Sequence, residues 1–192
     1  TAVVTGGVGG YTYSLTGTSS SYVSTNIFDS LLGSVSGNQY TVYYKDDNDC
    51  DAQQYLTITS PAALNAIGVN LTIYPGTWNV ACNGDQDAII AVTNVTGGTG
   101  SVDYSWDIFP GISDSTLSNL GDGTYTYTIT DSNNCTYSDQ ISVTEPPLLY
   151  QVDITAQDMS CNGVSDGEVT LMIQGGTPPY DYQWNNGPQN LT

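Results

Sequence analysis

One pattern occurs three times along the chain. GGVGGYTYSL (6–15), GGTGSVDYSW (97–106) and GGTPPYDYQW (175–184) each set a double glycine before alternating aromatic residues. A second pattern occurs twice, as QYTVYYKDDNDCDAQQYLTITSP (39–61) and TYTYTITDSNNCTYSDQISVTEP (124–146), and Cys82 and Cys161 open matching CNG turns. Recurrence over about 80–90 residues marks a repeated building block rather than one globule around a single pocket. One copy is complete, 62–146. The first, 1–61, lacks its opening strands, and the third, 147–192, holds strands A to C. The chain therefore reads as a window on a longer tandem array. The alternative is that half-domains complete each other between molecules, as in strand-donation polymers.

The complete copy predicts an all-β unit, an immunoglobulin-like antiparallel β-sandwich repeated in tandem. Strand A lies near 68–74, B at 88–95, C at 101–108 and a weak strand at 115–119. F follows at 124–130 with Tyr125, Tyr127 and Ile129 inward, and G at 137–144 with Ile141 and Val143 inward. CNGDQD, TGGTG, LGDG and DSNNC are the turns between them. Only NIFDSLLGSV (26–35) hints at a helix, for one turn at most. If the strands simply alternate in direction, the A–B and F–G turns share one end and Cys82 can bridge Cys135. Such a bridge closes a loop of about 50 residues and is worth about 3–4 kcal/mol. Cys50 and Cys161 then pair outside this segment or between chains; free thiols or a Cys50–Cys82 link between repeats are the alternatives. Proline-bearing junctions at EPPLLY (145–150) and SPAAL (60–64) are expected to limit bending.

Charge narrows the function. Nineteen acidic residues face one basic residue, a net charge of −18, which excludes nucleic acid as a partner because phosphates need Lys or Arg. No apolar run is long enough to insert in a membrane, and TAVVTGG has no signal-peptide character. With no histidine and Lys45 as the one basic residue, no catalytic constellation forms, and the chain reads as non-enzymatic. Lys45 has no counterpart in the second copy, where Thr130 stands, so a repeated Lys–Asn crosslink is not expected. Asp46, Asp47, Asn48, Asp49, Asp85, Asp87, Asp131, Asn133, Asn134 and Asp166 gather in turns as hard oxygen donors, a candidate Ca²⁺ set; ordinary Asx turns are the other reading. The Tyr104/Trp106 and Tyr182/Trp184 ladders fit core aromatics of strand C. In a lectin-like alternative, recognising surface polysaccharide, exposed Tyr74 or Tyr137 would stack on sugar. Asn-x-Thr sequons stand at Asn70, Asn94, Asn134 and Asn190 as candidate N-glycan sites.

Taken together, CNGVSDG (161–167), GGTPPYDYQW (175–184), NLGDGTY (119–125) and TDSNNC (130–135) resemble the SprB-type repeat. The resemblance runs over the chain in three copies. The first has GNQYTVYYKDDNDC without the Gly-Thr-Tyr; the second has Ala88 where the third has Gly167, and lacks the Pro-Pro. That family occurs in giant cell-surface adhesins of gliding bacteria exported by the type IX secretion system. The resemblance implies an extracellular, fibre-forming or adhesive glycoprotein, with neighbouring repeats or identical chains as partners and no catalytic residues. It also implies O-glycosylation at Asp-Ser/Thr-x signals, here at Ser30 (29–31) and Ser115 (114–116).

Overall fold

The computed structural model describes residues 4–185 and divides into two compact units, Thr1–Ala63 and Leu64–Thr192. Its strands are β1 (Thr12–Ser14), β2 (Asn38–Lys45), β3 (Asp51–Ile58), β4 (Asn65–Asn70), β5 (Ala88–Thr96), β6 (Val102–Trp106), β7 (Thr116–Leu120), β8 (Gly123–Asp131), β9 (Thr136–Val143), β10 (Tyr150–Gln157) and β11 (Glu168–Gln174). All named pairings are antiparallel, and no helix occurs among the described residues, 26–35 included.

The second unit contains a full sandwich. One sheet has the order β4-β5-β7 and the other β6-β8-β9, the A-B-E and C-F-G arrangement of an immunoglobulin-like fold. Alternation in TYTYTIT drives the second sheet: Tyr125, Tyr127 and Ile129 are buried while the threonines between them face out. They meet Ile90 and Val92 of β5, Leu117 and Leu120 of β7, and Ile141 and Val143 of β9 in one core. Trp106 lies tilted against Tyr127, ring centroids 5.9 Å apart. The buried Tyr127 hydroxyl donates across the core to Ala66 O at 3.3 Å, so the largest fully buried side chain leaves no polar atom stranded. Tyr125 donates to Gly121 O at 2.9 Å, a tyrosine corner at the E–F connection. Gly68 is needed on β4 because a Cβ there would come within 2.4 Å of Ile141.

Two sequence expectations are corrected here. Strand A ends at Asn70 rather than running to Tyr74, since Pro75-Gly76 turns the chain and Tyr74 N bonds Trp78 O at 2.8 Å. More consequentially, strand direction does not simply alternate. β7 and β4 both run antiparallel to β5 and are therefore parallel to each other. The connection 107–115 returns along the sandwich without forming a strand, held by Trp106 Nε1 donating to Asp114 O at 3.0 Å. The F–G turn then lies beside the B–C turn, where Ser132 N meets Thr99 O at 3.1 Å, and opposite the A–B turn.

The other strands form two smaller sheets. β1-β2-β3 is a single three-stranded sheet and β10-β11 a lone hairpin. The Tyr-x-Tyr-x-Trp ladder of the third copy, 180–184, forms no strand; in the complete repeat the equivalent β6 is held by β8. Trp106→Ala, which empties the centre of the complete core, is expected to cost about 3–5 kcal/mol of stability, read by denaturant unfolding of the full chain. A loss below about 1 kcal/mol would show that Trp106 does not anchor the two sheets.

Candidate functional site: turn clasps and an uncovered sheet

The F–G turns of the first and second copies are built bond for bond alike. Asp131 Oδ1 accepts from Asn133 N at 2.9 Å and Cys135 N at 2.8 Å, and Oδ2 from Thr99 N at 2.8 Å. Asp46 Oδ1 accepts from Asn48 N and Cys50 N, both at 2.9 Å, and Oδ2 from Val8 N at 3.1 Å. Thr99 and Val8 are the third residues of the Gly-Gly motifs, so the carboxylate clasps the F–G turn to the B–C turn. Gly98 and Gly7 take positive φ there, and a Cβ on Gly7 would crowd Asp46 at 2.9 Å. Asp49 and Asn134 hold the left-handed position of their turns, at φ 60° and 61°, which short polar side chains tolerate. The N–H groups of Val8 and Cys50 hold Asp46 below its ordinary pKa, and those of Cys135, Asn133 and Thr99 do the same for Asp131.

The A–B turns share a second device. Asp87 Oδ1 accepts from Ala81 N at 3.2 Å, and its Oδ2 from the Tyr74 hydroxyl at 2.7 Å, which raises the Tyr74 pKa. The equivalent Asp166 accepts from Ser160 N at 3.0 Å and from the Ser160 hydroxyl, and is held below its ordinary value by these bonds. Asp85 accepts from Cys82 N at 3.0 Å, Asp47 from Gly10 N at 2.8 Å, and Asp49 lies 3.6 Å from Lys45 Nζ. The carboxylates singled out as calcium donors are thus engaged in turn geometry. No cluster of three or more such ligands occurs among the described residues.

The predicted Cys82–Cys135 bridge is corrected. All four cysteines are free and exposed. Cys82 sits at the A–B turn, where neighbouring Asn83 bonds Glu145 at 2.6 Å. Cys135 sits at the far end of β8, roughly 25 Å away for strands of this length, whereas a disulfide needs Cα atoms within about 7 Å. The error traces to counting the return connection before β7 as a strand reversal. Ser30 is exposed, with φ 56°, and Ser115 half-buried, its carbonyl bonded by Val92 N. Asn94 (φ 50°) and Asn134 are exposed, whereas Asn70 Nδ2 is held by Ser142 O at 3.0 Å; Asn190 lies outside the described residues. Tyr74 and Tyr137 are half-buried, and Tyr137 packs on Tyr127.

Sequence reading did not single out the face of the β1-β2-β3 sheet. Leu15, Val42, Tyr44, Leu56 and Ile58 line an open cleft of about 500 Å³. By repeat register these five positions correspond to Trp106, Tyr127, Ile129, Ile141 and Val143, all core residues of the complete copy. The segment equivalent to β7 leaves Leu32 and Val35 74% and 68% exposed, where Leu117 and Leu120 are 5% and 2% exposed. The alternation in QYTVYYK and QQYLTI carried this signal once the second copy had calibrated it.

Compared with known proteins, the chain resembles the SprB repeat at two places, residues 77–107 and 154–189. Both stretches run from the A–B region into the Tyr-x-Trp motif that ends at Trp106 in the complete copy and at Trp184 in the third. No curated protein matches the chain. Among solved structures, a C-terminal 282-residue fragment of intimin, in complex with the intimin-binding domain of the translocated intimin receptor, aligns over 60% of this chain and 43% of its own length. That alignment has 16% identity and a TM-score of 0.35, too weak a likeness to bear on function.

Asp131 has a folded pKa below the ordinary 3.8, so its contribution is fully present above that value and is lost as pH falls through the lowered one. Asp131→Asn is expected to melt lower than the parent near neutral pH, with the gap closing below about pH 3.8; a gap independent of pH would detach the clasp from carboxylate charge. A chelator is expected to leave the melting temperature of the parent unchanged, because backbone N–H groups already engage these oxygens; a fall would place a cation in the turns.

Proposed function

We propose that the chain is a structural and adhesive segment of an extracellular bacterial surface filament or adhesin, with a mechanical rather than catalytic role. The observation that carries this reading is the SprB-repeat resemblance at two equivalent positions, 77–107 and 154–189, in a chain built of repeated antiparallel sheets. The acidic surface, net charge −18, supports it by keeping neighbouring fibres apart in solution. Function then lies in projection and in lateral partners: neighbouring repeats, identical chains and surface polysaccharide. Exposed Ser30 is the more accessible O-glycan acceptor in this reading, and half-buried Ser115 the less accessible. The half-burial of Tyr74 and Tyr137 favours a scaffold over a lectin site on those two rings.

Antibodies raised against residues 64–146 test the reading. Labelling of intact cells, lost after brief external proteolysis, is the expected result. Labelling only after permeabilisation would overturn it.

A further inference from the structure

The A–B turn of the complete copy contains Asn83-Gly84, a dipeptide in which an asparagine side chain is open to attack by the backbone that follows it. Glycine has no side chain to shield its N–H or to restrict its dihedral angles, so its nitrogen can reach the carboxamide carbon and close a succinimide ring. In that step the Gly84 nitrogen loses its proton and bonds Cγ, the Cγ–Nδ2 bond breaks, and ammonia leaves. Water then opens the ring at either carbonyl, giving aspartate or isoaspartate. Asn83 and Gly84 are both exposed, and a Cβ on Gly84 would meet nothing within 4 Å. No packed side chain therefore obstructs the reaction.

One carboxylate holds both reacting groups instead. Gly84 N donates to Glu145 Oε2 at 2.7 Å, and Asn83 Nδ2 donates to Glu145 Oε1 at 2.6 Å and to Pro146 O at 3.1 Å. A charged acceptor strengthens these bonds. Its negative charge also opposes loss of the Gly84 proton, and its hold on Nδ2 fixes the carboxamide in place. The same bonds tie the A–B turn to residues 145–147, which are also held by Gly176 N donating to Pro147 O at 2.7 Å. From this double engagement we infer that Asn83 is a latent site of spontaneous deamidation, kept dormant by Glu145, and that its conversion irreversibly releases residues 145–147 from the A–B turn. An aspartate at this position has no Nδ2 to donate and sets a second carboxylate against Glu145 and Pro146 O, so the latch does not re-form. The joint that follows β9 thus loosens through chemistry internal to the chain, with water as the only co-reactant.

Peptide mapping by mass spectrometry of the full chain, incubated at mildly alkaline pH, tests the inference and resolves Asn83-Gly84 from the Asn-Gly pairs at 162–163 and 186–187. The parent is expected to keep Asn83 as the amide while folded and to convert it in denaturant. Glu145→Ala is expected to speed conversion at Asn83 in the folded chain by about tenfold or more, the weight of lost hydrogen bonds to a charged group. Near-ultraviolet circular dichroism checks that its sandwich is intact. Hydrogen exchange reads the latch directly: the Gly84 amide is expected to be protected in the parent and to lose that protection in Asn83→Asp. Conversion in the folded parent as fast as in denaturant, a Glu145→Ala rate equal to the parent's, or a Gly84 amide as protected in Asn83→Asp as in the parent would each overturn the inference. None of these outcomes bears on the cell-labelling result, which tests the surface-filament reading separately.

Discussion

An antiparallel sheet with one apolar face needs cover, and every part of this chain is arranged around that need. Alternation in strands F and G commits side chains to one face before any second sheet exists. In the complete copy β4-β5-β7 supplies the cover, and Trp106, Tyr127 and Ile129 become buried. At the apolar positions of the β1-β2-β3 sheet, only Tyr13 and Val42 are buried hydrophobics. The difference is not one of strand pairing, since β2 and β3 pair over eight residues much as β8 and β9 do. It is one of layers: hydrogen bonds complete a sheet, but burial of its face needs a second one.

The acidic composition has a second basis beyond solubility. Asp46 and Asp131 each accept three backbone N–H groups, donors that a tight turn otherwise leaves unpaired. A carboxylate does this better than a hydroxyl because a charged acceptor strengthens each bond. The same bonds lower the pKa values, so the clasps keep their charge to lower pH than an ordinary aspartate. Repulsion among acidic residues is therefore met, at the F–G and A–B turns, by local compensation from main-chain N–H groups rather than by ion pairs. Lys45–Asp49 is the ion pair among the described residues.

Much of this was legible in the sequence. Period-two patterns placed strands B, C, F and G within a few residues, and named Tyr125, Tyr127, Ile129, Ile141 and Val143 as inward-facing. The turn motifs were visible as motifs, but not as partners of one another. Nothing in GGT or TDSNNC says that Thr99 N meets the Asp131 carboxylate, because that contact depends on which turns share an end. Strand direction was illegible for a related reason. Residues 107–115 read as a loop, and a loop that turns back looks the same in sequence as one that crosses the sandwich. The bond from Trp106 Nε1 to Asp114 O decides between them, and it is tertiary. The misplaced cysteine pair follows from that single ambiguity.

The direction of strand E also links the two sheets of the complete repeat. E lies in the sequence with C, F and G, yet its sheet partner is B: β7 pairs with β5. A segment carrying C to G therefore contains one strand whose neighbour is absent from it. In the first copy the equivalent residues 31–35 make one parallel bridge, Ser34 to Thr59, in place of a ladder, and Leu32 and Val35 point to solvent. In the complete copy the A–B hairpin does two things at once: it covers the apolar face of β6-β8-β9 and gives strand E its edge, so that burial of the face and pairing of E are coupled.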